Sequence, residues 1–76
     1  MMDKKIIAIA ANVLRVDADQ VVEHCKEIPE IGGWYFWVPD KGGLSVLINT
    51  GGEKLAATSG VSLTRHIEAF NSGRRN

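Results

Sequence analysis

The segment Trp34–Trp37 constrains the fold of this chain more than any other, because it holds four of the five aromatic residues. It lies between a glycine pair and the turn-forming sequence at residues 39–43, so it has the ends that are typical of a β-strand. Successive side chains of a strand point to opposite faces of the sheet. Tyr35 and Trp37 therefore share one face, and the other two rings share the opposite face. The sequence predicts a strand that is apolar on both faces.

A second strand follows the turn and completes a β-hairpin over residues 33–49. Apolar residues occupy every second position from Leu44 to Ile48, which is the period of a half-buried strand. Leu47 falls on the other face of this strand, where we expect it to lie near Tyr35 and Trp37. A single sheet in a small protein hides one face easily, so we expect the face with Tyr35 and Trp37 to lie outside the core.

The segment after the second glycine-rich turn, residues 53–59, has features of both a strand and a helix. Glu53 to Ala57 has good helix propensity, whereas Thr58, Ser59 and the glycine after them suit the end of a strand. The spacing of the two turns is that of a meander. We therefore predict a third antiparallel strand and a β-meander over residues 33–59.

Helices are predicted on both sides of the meander. Residues 4–28 have the apolar spacing of a helical hairpin, in which the second helix begins after Asp17 and buries Cys25. Ser62 is a favourable N-cap for a C-terminal helix over residues 62–72. Residues 74–76 form a short basic tail.

The order α-α-β-β-β-α predicts a single α+β domain over residues 1–76, with a three-stranded antiparallel meander and the helices packed on one face. A chain of 76 residues buries a small core, so its stability is expected to be marginal. With one cysteine it has no internal disulfide, and self-association is the remaining means of stabilisation. The lone thiol indicates a cytoplasmic protein. The apolar run from Ile6 to Leu14 follows two lysines but is too short for a signal sequence, so we expect neither a signal sequence nor a membrane partner.

The nine basic and nine acidic residues cancel, so no overall field attracts nucleic acid or an anionic membrane. Catalytic residues are also few. Cys25 with His24 and His66 is the only nucleophile and base set, but adjacent residues of a helix point about 100° apart, and Cys25 falls on the apolar stripe. The same three residues lack the paired spacing of a zinc site. The glycine pairs are turns rather than phosphate loops, because Glu53 would stand where phosphates bind. We therefore expect no enzyme, no cofactor and no metal ion.

The outer face of the sheet carries the functional hypothesis. Tyr35, Trp37, Leu47 and Lys54 are the residues that we assign to a candidate interaction surface. The favoured interpretation is a protein–protein interaction module that self-associates as a homodimer through this face. The alternative is a single-stranded nucleic-acid-binding module in which the sheet aromatics stack on bases. A third interpretation is that the chain's own helices cover both rings, in which case they have an architectural role only.

Overall fold

The computed structural model describes residues 3–38, 44–58 and 61–75. Within these residues the chain forms an α+β fold with a four-stranded antiparallel sheet in the order β1-β2-β3-β4. The elements are α1 Lys4–Leu14, α2 Ala18–Glu23, β1 Cys25–Ile28, a 3₁₀ turn Pro29–Ile31, β2 Gly33–Trp37, β3 Ser45–Asn49, β4 Lys54–Ala57 and α3 Leu63–Asn71. The predicted turn at residues 39–43, the end of the predicted meander at Ser59 and the tail residue Asn76 lie outside the described residues.

The prediction of three strands is wrong, because residues 25–28 form β1 rather than the end of a helical hairpin. α2 ends at Glu23 after six residues. β1 then pairs with the aromatic strand, with Cys25 opposite Phe36 and Ile28 opposite Gly33. The side of β2 that does not face β3 has backbone N–H and C=O groups that need hydrogen-bond partners, and β1 supplies them. These hydrogen bonds favour a strand at residues 25–28 although the spacing of the apolar residues also fits a helix.

The predicted strand after the second turn is confirmed as β4. It pairs with β3, with Leu55 opposite Leu47 and Ala57 opposite Ser45. The turn between β3 and β4 is closed by the side chain of Asn49, whose Oδ1 accepts the backbone N–H of Glu53 at 2.9 Å. Gly52 takes φ of 85°, which favours glycine. The interpretation of this glycine pair as a turn is therefore confirmed.

The prediction that all helices pack on one face of the sheet is also wrong. α1 and α2 cover one face, and α3 covers part of the other. The side chains that α1 and α2 bury against the sheet are Ile6, Ala10, Leu14 and Val21, which meet Phe36, Val46 and Ile48. On α3, Phe70 packs against Leu47, which points away from Val46 and Ile48. The sheet is therefore the middle layer of three.

Capping explains where the longer helices begin and end. Asp3 Oδ1 accepts the backbone N–H of Lys5 at 3.0 Å, and Ser62 Oγ accepts that of Arg65 at 3.3 Å. Asp17 lies at the N-cap of α2 as predicted, but its side chain makes no capping hydrogen bond. After α3 the chain turns at Gly73 with φ of 104°, and Arg75 Nη1 donates to the Phe70 carbonyl at 2.6 Å. Arg75 thus completes the C-terminal end of the helix.

None of the helices in the part of the chain that the structure describes combines the length and the apolar character needed to cross a bilayer.

Candidate functional site

The candidate site is a cluster of three partly exposed rings on the face that α3 covers only in part. Tyr35 and Trp37 are next-but-one neighbours on β2, and their rings stack with centroids 5.5 Å apart at an interplanar angle of 22°. The edge of His24 meets Trp37 with a centroid distance of 5.8 Å at 72°. All three side chains are half-buried. We call His24, Tyr35 and Trp37 the aromatic patch.

Two of the four residues predicted for this surface are not exposed on it. Leu47 is opposite Tyr35 in the register and shares its face, but it is 0% exposed because Phe70 of α3 lies on it. Lys54 pairs with Ile48 and therefore points to the opposite face, where α1 and α2 pack. The structure thus places Tyr35 and Trp37 side by side at the surface, buries Leu47 beneath α3 on the same face, and places Lys54 on the opposite face.

His66 marks the boundary between the part of the face that α3 covers and the aromatic patch. This side chain is 1% exposed. Its Nε2 lies 2.6 Å from the Leu55 carbonyl oxygen, so Nε2 carries the hydrogen and donates it. The edge of the His66 ring also meets Tyr35, with centroids 6.1 Å apart at 87°. His66 of α3 therefore shields one side of the Tyr35 ring but does not shield Trp37.

Burial determines the charge of His66. Removal from water lowers the pKa of the imidazole below its ordinary value of 6.5, because desolvation penalises the charged form. The hydrogen bond to the Leu55 carbonyl raises the pKa in the opposite direction and is the smaller effect. His66 is thus a neutral polar link between α3 and β4 at neutral pH.

His24 is the member of the patch that sequence reasoning missed. It follows α2 directly and lies one residue before β1, where its carbonyl accepts the backbone N–H of Trp37 at 3.2 Å. Its Nδ1 lies 3.1 Å from the Gln20 carbonyl oxygen, which fixes the ring against Trp37. Only the presence of β1 places His24 at this site, because a strand over residues 25–28 that pairs with β2 brings the preceding residue opposite Trp37.

The structure does not bring Cys25, His24 and His66 together as a catalytic set. Cys25 pairs with Phe36, so its side chain lies on the face of α1 and α2, whereas His66 lies under α3 on the other face. The thiol donates weakly to the Val22 carbonyl at 3.4 Å. Among the described residues, no three His, Cys, Asp or Glu side chains are close enough to hold a metal ion.

A cluster at the C-terminal end of α3 holds the helix in place over the sheet. The guanidinium of Arg75 lies 3.7 Å from the centroid of the Phe70 ring, and its Nε lies 3.5 Å from Glu53 Oε2 in the turn between β3 and β4. The hydrogen bond from Asn49 and the nearby charge of Arg75 lower the pKa of Glu53. This cluster joins the C-terminal end of α3 to the turn between β3 and β4.

No model of a protein family, no curated protein and no solved structure matches this chain.

Proposed function

We propose that this protein is a protein–protein interaction module that self-associates through the aromatic patch. One observation carries the proposal: the stacked rings of Tyr35 and Trp37 on β2 remain partly exposed on a sheet face that α3 covers only over β3 and β4. Trp and Tyr are enriched in the centres of protein interfaces, where large rings bury much area. We therefore restrict the proposed contact surface to the part of the outer face beside β1 and β2, rather than the whole face.

The side chains, rather than the sheet edge, are expected to make this contact. β1 is an edge strand of four residues, and its central residues Lys26 and Glu27 are both exposed. Charged side chains on a short edge strand oppose pairing with the strand of another chain. We therefore expect a second copy to dock on the rings of the aromatic patch rather than to pair with the backbone of β1.

We propose further that the module works in the cytoplasm and without a catalytic step, a cofactor or a metal ion. The separation of Cys25 from His66 by the sheet supports the absence of thiol catalysis. The single cysteine suits a reducing compartment.

Sedimentation velocity on the full chain tests the proposal. The wild-type protein should self-associate at tens of micromolar, and Trp37→Ala should weaken that association, because the substitution removes the larger ring of the stack. Val61→Ala is the matched control, since Val61 is 40% exposed but is not part of the patch. If Trp37→Ala perturbs folding, Trp37→Val retains a strand-forming residue and gives the same comparison. Association that is identical in wild type and both Trp37 variants would refute the proposal.

Binding to single-stranded nucleic acid is the second candidate, and one observation favours it. Lys26 lies directly opposite Tyr35 on the same face, which places a cation beside the stacked rings. Titration with single-stranded DNA or RNA at low salt separates the two functions. Stacking of bases on the patch should quench tryptophan fluorescence, and the effect should weaken as salt rises. A salt-dependent quench that is lost in Trp37→Ala would favour this candidate over the protein contact.

A further inference from the structure

We propose that the groove between α1 and α2 is a second self-association surface, which docks against the same groove of another copy. This surface belongs to the helical layer, on the opposite side of the sheet from the aromatic patch. The inference does not depend on the proposed role of the patch.

The groove is open, apolar and formed by both helices of the first layer. Its volume is about 340 Å³. The lining residues are Lys4, Ile7 and Ala8 of α1 and Ala18, Asp19 and Val22 of α2. Val22 is 53% exposed and is the most exposed large apolar side chain among the described residues. An exposed apolar surface of this kind is typical of a site that another chain covers, because removing it from water is favourable.

The shape of the groove suits a helix better than a small molecule. A ligand pocket encloses most of its ligand, whereas this groove lies open along the two helices. Ala8 and Ala18 keep its walls low, so a facing helix can approach closely and pack its side chains against Val22.

The charges at the groove favour a second copy as the occupant. Lys4 comes from the first turn of α1 and Asp19 from the first turn of α2. Neither forms an ion pair within the part of the protomer that the structure describes. In a two-fold dimer any contact between two residues occurs twice, so an interface that sets Lys4 of one copy against Asp19 of the other pairs all four charges. A strongly charged partner would meet one of the two groups with the same sign.

The two proposed surfaces do not exclude one another, because the sheet separates them. If both operate, the wild-type protein forms species larger than a dimer. The groove is therefore tested in the Trp37→Ala background, which removes the contact through the aromatic patch.

Charge exchange provides the test. In the Trp37→Ala background, sedimentation should show a dimer, and Lys4→Glu or Asp19→Lys alone should weaken it at least about tenfold, because each places like charges together. A mixture of the two variants should restore the dimer, since both pairs across the mixed interface again join opposite charges. Val22→Glu should weaken the dimer as well, whereas Val61→Glu, at an exposed apolar position outside the groove, should not.

Three results would overturn the inference: a monomer in the Trp37→Ala background, a dimer unaffected by either charge variant, or no recovery in the mixture. The first leaves the proposed role of the aromatic patch standing, provided that wild type self-associates. A Trp37→Ala protein that still dimerises as wild type does, and that loses the dimer with Lys4→Glu, supports the groove and refutes the patch. Circular dichroism of each variant confirms that the fold is retained.

Discussion

The two faces of the sheet are covered in different ways. One face holds the buried core that stabilises the fold, and the other holds the candidate functional site. On one face two helices bury a wholly apolar set of side chains, among them Phe36 and Ile48, both of which are 0% exposed. On the other face a single helix of nine residues covers β3 and β4 and leaves the stacked rings of β2 half-buried. The closed face explains the fold, whereas the half-covered face has surface left for a partner.

The character of the contacts also differs between the faces. The buried core of the closed face is apolar, while the cover on the other face includes the neutral imidazole of His66 and the stacked guanidinium of Arg75. Polar contacts are more sensitive to pH and to substitution of one partner than apolar packing is. We therefore expect the two faces to respond differently to the changes below.

The largest effect is expected from truncation of Phe36. Phe36→Ala should lower the free energy of unfolding by about 3–5 kcal/mol, because it leaves a cavity in the closed face. Trp37→Ala, one position along the same strand, should cost less, about 2 kcal/mol, since the half-buried ring loses an aromatic pair and only part of a full side-chain burial. Urea denaturation measures both. Equal costs would contradict the difference between the faces, and Phe36→Leu gives a folded comparison if the alanine variant is unfolded.

The next largest effect is expected where β2 approaches β3 most closely. A Cβ atom on Gly33 would collide with the carbonyl oxygen of Ile48 and would come within 2.5 Å of Asn49 Cα. Gly33→Ala should therefore destabilise the protein by about 1–3 kcal/mol, as overpacking does. Gly51→Ala is the control, because its Cβ would approach only a side-chain oxygen at 3.4 Å. Thermal unfolding that fails to distinguish the two variants would contradict the close approach.

Loss of Arg75 should weaken the cover on the half-covered face. Arg75→Ala removes the guanidinium above Phe70 and the hydrogen bond to its carbonyl, which together are expected to contribute about 1 kcal/mol. Arg74→Ala should have a smaller effect, because the Arg74 side chain makes neither of these contacts within the part of the chain that the structure describes. Chemical denaturation of the two variants makes the comparison, and an equal loss would show that Arg75 does not hold α3.

The smallest effect at neutral pH, and the most specific to one face, concerns His66. Its pKa is lowered by burial, so between the folded and unfolded pKa values the unfolded chain binds the proton and the folded chain does not. The free energy of unfolding should therefore fall as the pH drops through the unfolded value near 6.5 and should be unaffected by His66 well above it. His66→Gln keeps a donor for the Leu55 carbonyl and should flatten this part of the profile. A wild-type profile that matches the variant would contradict the buried neutral imidazole.

Local pattern predicted the elements whose period and caps agree. The first helix, the Ser62 cap of the C-terminal helix and the antiparallel pairing of β2 with β3 are confirmed. β1 was missed because Val21, Cys25 and Ile28 also fit helical spacing, and only pairing with β2 decides between the two structures. The local sequence of α3 predicted a helix but could not indicate which face of the sheet it would cover.

The alternation of side chains along a strand predicted part of the candidate site. Alternation placed Tyr35 and Trp37 on one face, and the structure has them stacked there. It could not indicate that α3 would bury Leu47, because that depends on the packing of a distant helix. Lys54 was misplaced because its face depends on the length of the turn after Asn49, and a shift of one residue moves a side chain to the other side.

The accessibility of Trp37 as a function of protein concentration tests the central claim most directly. Trp34→Phe leaves Trp37 as the only tryptophan, so acrylamide quenching then reports on the aromatic patch alone. If the patch is the contact surface, quenching should decrease as dilute monomers associate at tens of micromolar, and sedimentation should follow the same concentration dependence. Quenching that stays constant while the protein self-associates, or a protein that remains monomeric throughout, would contradict the account.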